Sequence, residues 1–194
     1  MLIIGITGTL GAGKGTIVDF LVQEKGLVHF SVRGFISEEI VRRGLPVNRD
    51  SMVKVANDLR AKHSPSYIVD QLYEQALLSG KNSVIESIRT PGEIDSLRGK
   101  GNFALFAVDA EPQSRYNRVV VRNSETDRVS YQTFIDNEQR EMNSDDPNKQ
   151  NLRKCIEMAD YVFENNKSIS ELQVQVEAVI SLLLDEKQDL TYYH

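Results

Sequence analysis

Gly8, Gly13 and Lys14 stand in the run GTLGAGKGT, with four residues between the two glycines and the lysine directly after the second. Glycines at that spacing let successive backbone N–H groups turn toward one anion. A helix beginning there adds its positive end, and a lysine adds a mobile cation. The chemistry is the cradling of a nucleoside triphosphate. Gly8, Gly11, Ala12, Gly13, Lys14, Gly15 and Thr16 surround its phosphates, and Lys14 reaches the β- and γ-groups. The position after the lysine ordinarily carries a serine or threonine that ligates magnesium, and here it is Gly15. A magnesium ion is therefore expected to be held through one carboxylate, by way of water, and through the substrate's phosphates. Thr16 is left to hydrogen-bond a phosphate.

Glu86 is the carboxylate placed for that task, because it ends an apolar strand pattern from Ser83 to Ser87, and ligands bind beyond the carboxyl ends of such strands. Arg89 follows closely, and its guanidinium fork matches two oxygens of an acceptor's phosphate. Arg115, Arg118 and Arg122 recur at offsets of three and four, so they share a helix face on which the segment itself places no acid. That face is expected to draw anions, with Arg118 and Arg122 stabilising the group in transfer. Arg128 and Arg140 flank the next helical segment, and one of them is expected to swing in on closure.

The elements that must position these groups are legible as an alternation of short apolar runs and longer amphipathic ones, the pattern of a parallel sheet with helices on both faces. Five strands are expected at Leu2–Ile6, Leu27–Ser31, Ser83–Ser87, Phe103–Asp109 and Tyr161–Glu164. Helices are expected at Lys14–Glu24, Gly34–Arg43, Ser51–Lys62, Ser66–Leu78, Pro91–Arg98, Pro112–Arg122, Tyr131–Met142, Lys149–Met158 and Ser168–Asp185, followed by a frayed tail from Glu186. The result is one α/β domain with a five-stranded parallel sheet. Two segments interrupt the alternation, 33–80 and 123–148, and such insertions usually cover or bind a ligand.

Composition narrows the partners. With 194 residues, 40% of them apolar, the chain can bury one core. A net charge of -5 disfavours a nucleic-acid surface. The longest early apolar run, Met1 to Ile6, is too short to span a membrane, and a cytoplasmic setting is expected. A lone Cys155 excludes an internal disulfide and a cysteine-rich zinc cluster.

The GKGT ending of the loop, the Glu86-Ser87-Ile88-Arg89-Thr90 stretch and the Arg118/Arg122 pair together resemble the nucleoside monophosphate kinase family, adenylate kinases and their relatives. The segments RRGLPVNRDSM, ANDLRAKH, VIESIRTPGEID and ADYVFENNKSISEL look closer still to an adenylate-kinase-related, dephospho-CoA-kinase-like branch. The resemblance covers nearly the whole chain. It implies a P-loop fold that uses ATP and Mg2+, an acceptor-binding insertion at 33–80, a lid at 123–148, and transfer of the γ-phosphoryl to a nucleoside or deoxynucleoside monophosphate. The family's usual aspartate and arginine in the second helix are Phe35 and either Ser37 or Glu38 here, and Arg33 is expected to stand in.

A hydroxyl acceptor needs a carboxylate to take its proton, whereas a phosphate acceptor needs mainly positioning and neutralisation. Dephospho-CoA kinases place an aspartate after the second strand. The stretch from His29 to Phe35 offers none, and the first acid is Glu38. A monophosphate acceptor is thus favoured over dephospho-CoA, with Ser31, Arg33 and Arg89 around it; a nucleotide-dependent switch is the third reading. Arg42, Arg49 and Arg60 read as surface or helix-end charges, and His29 and His63 as ordinary structural residues.

Overall fold

A computed structural model describes residues 1–122 and 129–190, with side chains to residue 185. The chain runs β1 (Ile3–Gly8), α1 (Lys14–Gln23), β2 (Val28–Ser31), α2 (Val32–Arg42), α3 (Arg49–Lys62), α4 (Tyr67–Ser79), β3 (Ser83–Glu86), α5 (Pro91–Gly99) and β4 (Phe103–Asp109). It continues through α6 (Pro112–Arg122), α7 (Tyr131–Met142), α8 (Leu152–Glu157), β5 (Tyr161–Glu164) and α9 (Ile169–Leu190).

The strands form one parallel sheet in the order β2-β3-β1-β4-β5. β1 is central and buried along its whole length, which is why it reads as an unbroken apolar run. Its alternate side chains feed two cores. Ile3 joins Ile85 and Leu105 on the face covered by α2 to α5 and α8. Ile4 and Ile6 join Val84 and Phe106 on the face covered by α1 and α9. The connection leaving β1 leads outward to β2 and the one leaving β3 leads back past β1 to β4, so the crevice opens beyond the carboxyl ends of β1 and β3.

Caps account for where the boundaries differ from the periodicity. α2 begins at Val32, ahead of the expected Gly34, because Ser31 Oγ accepts from Gly34 N. α3 begins at Arg49 because Asn48 accepts from Ser51 N. α8 is shorter than expected: Asn151 caps it through Lys154 N, and Asp146 holds Asn148 and Lys149 in the preceding turn. The tail expected from Glu186 instead continues α9 to Leu190. Among the described residues no helix is long and apolar enough to cross a membrane.

Candidate active site

The loop between β1 and α1 wraps around its own lysine. Lys14 Nζ donates to Gly8 O and Thr9 O, both at 2.8 Å. Two glycines are required by shape. A Cβ on Gly8 would lie 2.1 Å from Val108 O on β4, and one on Gly13 would lie 2.2 Å from Asn165 Nδ2; both have left-handed φ, 140° and 115°. Asn165 braces the loop from behind, donating to Ala12 O at 2.8 Å, while Thr9 Oγ1 donates to Asp109 Oδ1 at 2.6 Å. Desolvation lowers the Lys14 pKa to about 7; Arg89 pushes the same way, Glu86 and Glu141 pull against it, and Arg122 adds the smallest push downward.

A cavity of about 840 Å³ opens beside this loop. Gly11, Gly13, Lys14, Gly15 and Thr16 form one side of it. Glu86, Arg33, Arg89, Arg118 and Arg122 also line it, so a single space gathers cations drawn from four separate segments. Gly8 and Ala12 are buried in the loop's frame. Ser31 stands at the β2–α2 junction, where its hydroxyl serves α2 and also donates to Glu86 Oε1 at 2.7 Å.

Glu86 is held from both sides. Ser87 Oγ donates to its Oε2 at 2.6 Å, and His29 Nε2 lies 4.0 Å from Oε1. Ser87 takes a φ of 70°, a left-handed value for a residue with a Cβ, which costs about 1–3 kcal/mol. The next residue is pinned: Ile88 N donates to Ile6 O and Ile88 O accepts from Thr7 Oγ1. The turn brings both serine hydroxyls onto one carboxylate and aims it at the cavity.

Arg89 does not stand alone. Its Nη1 donates to Glu141 Oε2 at 2.7 Å and Gln150 Oε1 at 3.0 Å, while Arg49 ion-pairs with the other oxygen of Glu141. Its backbone is fixed by Glu93 Oε2, which accepts from Arg89 N at 2.8 Å, and by Asn151 N, which donates to Arg89 O. Arg49, Glu141 and Gln150 all line the cavity, and none was singled out from the sequence as a site residue. One signal was available: Arg49 is a cation at the N-terminus of α3, where the helix dipole disfavours it.

The arginine stripe of α6 divides. Arg118 lines the cavity and donates to Asn165 O at 2.7 Å and Gly11 O at 3.5 Å, which ties α6 to the loop. Arg115 turns inward instead. It is 3% exposed, donates to Ala110 O and meets Glu138 of α7 with both terminal nitrogens, so the acid missing from its own helix comes from another. Arg140 bonds to Asn137 on its own helix. Arg128 lies outside the described residues, as does the start of the expected lid. His63 stacks on Tyr67 at 4.0 Å, in keeping with a structural role. Cys155 is buried, and burial pushes its thiol pKa up.

If Glu86 orients metal-bound water, Glu86→Gln should raise the magnesium concentration needed for half-maximal rate and lower kcat more than ATP affinity. A magnesium titration identical to wild type would leave Glu86 as a brace between two serines.

A five-stranded parallel sheet with this loop after its central strand defines a P-loop kinase-like fold. Residues 4–143 match the AAA domain family, and the chain belongs to it. A UPF0200 protein of Methanococcus vannielii is 28% identical over 187 residues, spanning 95% of this chain and 97% of its own. TT1252 from Thermus thermophilus superposes with a TM-score of 0.62 at 21% identity, over 94% of this chain and 97% of that one. A gluconokinase from Sinorhizobium meliloti 1021 superposes with a TM-score of 0.58 at 12% identity, over 100% of this chain and 98% of that one. At those identities the two structures speak to fold.

Proposed function

We propose that the protein is an ATP-dependent kinase that transfers the γ-phosphoryl to the phosphate of a nucleoside or deoxynucleoside monophosphate. The observation that carries this reading is the Arg49–Glu141–Arg89 group. Within the cavity that holds the phosphate loop, two guanidinium groups converge on one anionic carboxylate. A phosphate monoester presents paired oxygens and a larger negative charge, so it can take the carboxylate's place between the two guanidinium groups. The segment 33–80 supplies Arg33 and Arg49 to the acceptor side. The segment 123–148 supplies Glu141 from α7, and displacement of that carboxylate would couple acceptor entry to lid movement.

The chain's own residues can then perform the transfer. Loop N–H groups and Lys14 hold the β- and γ-phosphates. Arg89 and Arg49 aim an acceptor oxygen at the γ-phosphorus as the bond to the bridging oxygen of ADP breaks. Arg122 and Arg118 offset charge on the transferring group. No base is needed, since the acceptor oxygen is already anionic. A hydroxyl acceptor would require a free carboxylate. Glu86 and Glu141, beside the arginines, both have their oxygens engaged, whereas Asp19 on α1 also lines the cavity and is the carboxylate such an acceptor would have to reach. Magnesium, when bound, neutralises phosphate charge. Glu86 would hold it through water, with the substrate's phosphates as its other ligands, while Thr16 would hydrogen-bond a phosphate beside it. Such an enzyme works on small molecules in the cytoplasm, and the net charge of -5 suits that better than a nucleic-acid partner.

The test is ADP release with ATP and magnesium across a panel of nucleoside monophosphates, dephospho-CoA and gluconate. A monophosphate should accelerate release, and Arg89→Ala should raise that acceptor's KM roughly ten- to a hundredfold while leaving the KM for ATP close to wild type. Acceleration by gluconate or dephospho-CoA alone would overturn the assignment of acceptor.

A further inference from the structure

Arg60 lies on α3 and lines the same cavity, yet its side chain is only 1% exposed. Its Nε and Nη2 both donate to Glu93 Oε1, at 3.2 and 2.7 Å. That buried pair explains why an arginine is tolerated here, because Glu93 in turn accepts from the N–H groups of Arg89 and Thr90 and fixes the turn that carries Arg89. It does not explain the third nitrogen. Nη1 is buried and has no hydrogen-bond partner among the described residues. Guanidinium nitrogens are donors only, and a buried donor without an acceptor is costly enough to be rare.

The wall around it is apolar. Met52, Val53 and Ala56 precede Arg60 on α3 at helical spacings that bring them to one face, and Val32 and Ile36 of α2 line the same space. A ligand part that fits there must be flat and apolar on its faces, with a hydrogen-bond acceptor on its edge. A nucleobase has that form. An exocyclic carbonyl oxygen projects beyond the ring with two lone pairs, so it can reach a donor recessed in a wall. An exocyclic amine at the same place would set donor against donor.

We propose that the acceptor nucleotide carries a carbonyl oxygen at position 6 of a purine or position 4 of a pyrimidine, and that Arg60 Nη1 donates to that oxygen. This rests on the monophosphate reading above and names its substrate class. The oxo-bearing monophosphates IMP, GMP, UMP and dTMP are set apart from AMP and CMP by a single buried hydrogen bond.

Calorimetric binding of matched pairs to the full chain tests it: UMP against CMP, and IMP against AMP. The oxo member of each pair should bind about ten- to a hundredfold more tightly. Arg60→Lys retains a cation opposite Glu93 and removes Nη1, and it should bring both ratios close to one. If that variant loses its helical circular dichroism, the wild-type protein decides with the monophosphate of 2-oxopyrimidine unsubstituted at position 4. That probe lacks the oxygen without adding a donor, and it should bind clearly more weakly than UMP. Equal affinities within the pairs, tighter binding of the amino members, or a probe that binds like UMP would overturn this inference and leave the kinase reading standing. Failure of every monophosphate to bind would overturn both.

Discussion

Lys14→Ala should lower kcat by on the order of a thousandfold or more while circular dichroism stays that of the wild type. The side chain belongs to neither apolar core, and its ammonium is bonded to Gly8 O and Thr9 O within the loop. What the variant would lose is the cation proposed to meet the β- and γ-phosphates. The lysine's lowered pKa, about 7 against an ordinary 10.5, adds a signature of its own. Between those two values the folded protein binds fewer protons than the unfolded chain, so this residue makes stability rise with pH through that window. The alanine variant should lose that slope. ATP binding near pH 7.5 should likewise draw a proton onto Lys14, because the phosphates favour its charged form. Calorimetry in buffers of different ionisation enthalpy reads that uptake in the wild type and its absence in the variant. Full turnover by Lys14→Ala would remove the phosphate-loop assignment.

Arg122→Ala should also act chiefly on kcat, again by on the order of a thousandfold, which is the scale for an arginine that offsets charge on a transferring phosphoryl group. Arg122 lines the cavity at the end of α6 and lies close enough to Lys14 to disfavour a second positive charge there. An interaction made mainly in the transition state lowers kcat, whereas one made equally in the ground state raises KM. Arg122→Ala should therefore leave both substrate KM values near wild type, in contrast to the acceptor-KM effect expected of Arg89→Ala. Arg118→Ala should do both kinds of damage, because Arg118 also holds Asn165 O and Gly11 O. It should raise the KM for ATP as the loop loosens. A kcat for Arg122→Ala equal to that of the wild type would place Arg122 outside the reaction.

Local chemistry was enough to locate the phosphate loop, the central strand before it and Glu86 at a strand end. Glycine spacing, apolar runs and cap residues act over a few neighbours, and those neighbours are adjacent in sequence. The same holds for the start of the helix at Pro112 and for Tyr131–Met142, which the structure reproduces. Helix starts moved where a single hydroxyl or amide decided them, as with Ser31 and Asn48. The arginines were a different matter, because a cation's role depends on which anion faces it, and that partner usually comes from far along the chain. Arg115 read as part of an anion-seeking stripe until Glu138, 23 residues later, turned it into a buried pair. Arg49 and Arg60 read as surface or helix-end charges. Folding brought Arg49 to Glu141, 92 residues away, and closed Arg60 against Glu93 with one nitrogen left unmatched. The sequence by itself determined the glycine loop and the helix start after it, where we propose a nucleotide's phosphates sit, since backbone turns and helix ends are local. Only the tertiary structure decided which charges pair with each other and which line the cavity, since electrostatic pairing and desolvation are set by distance in space.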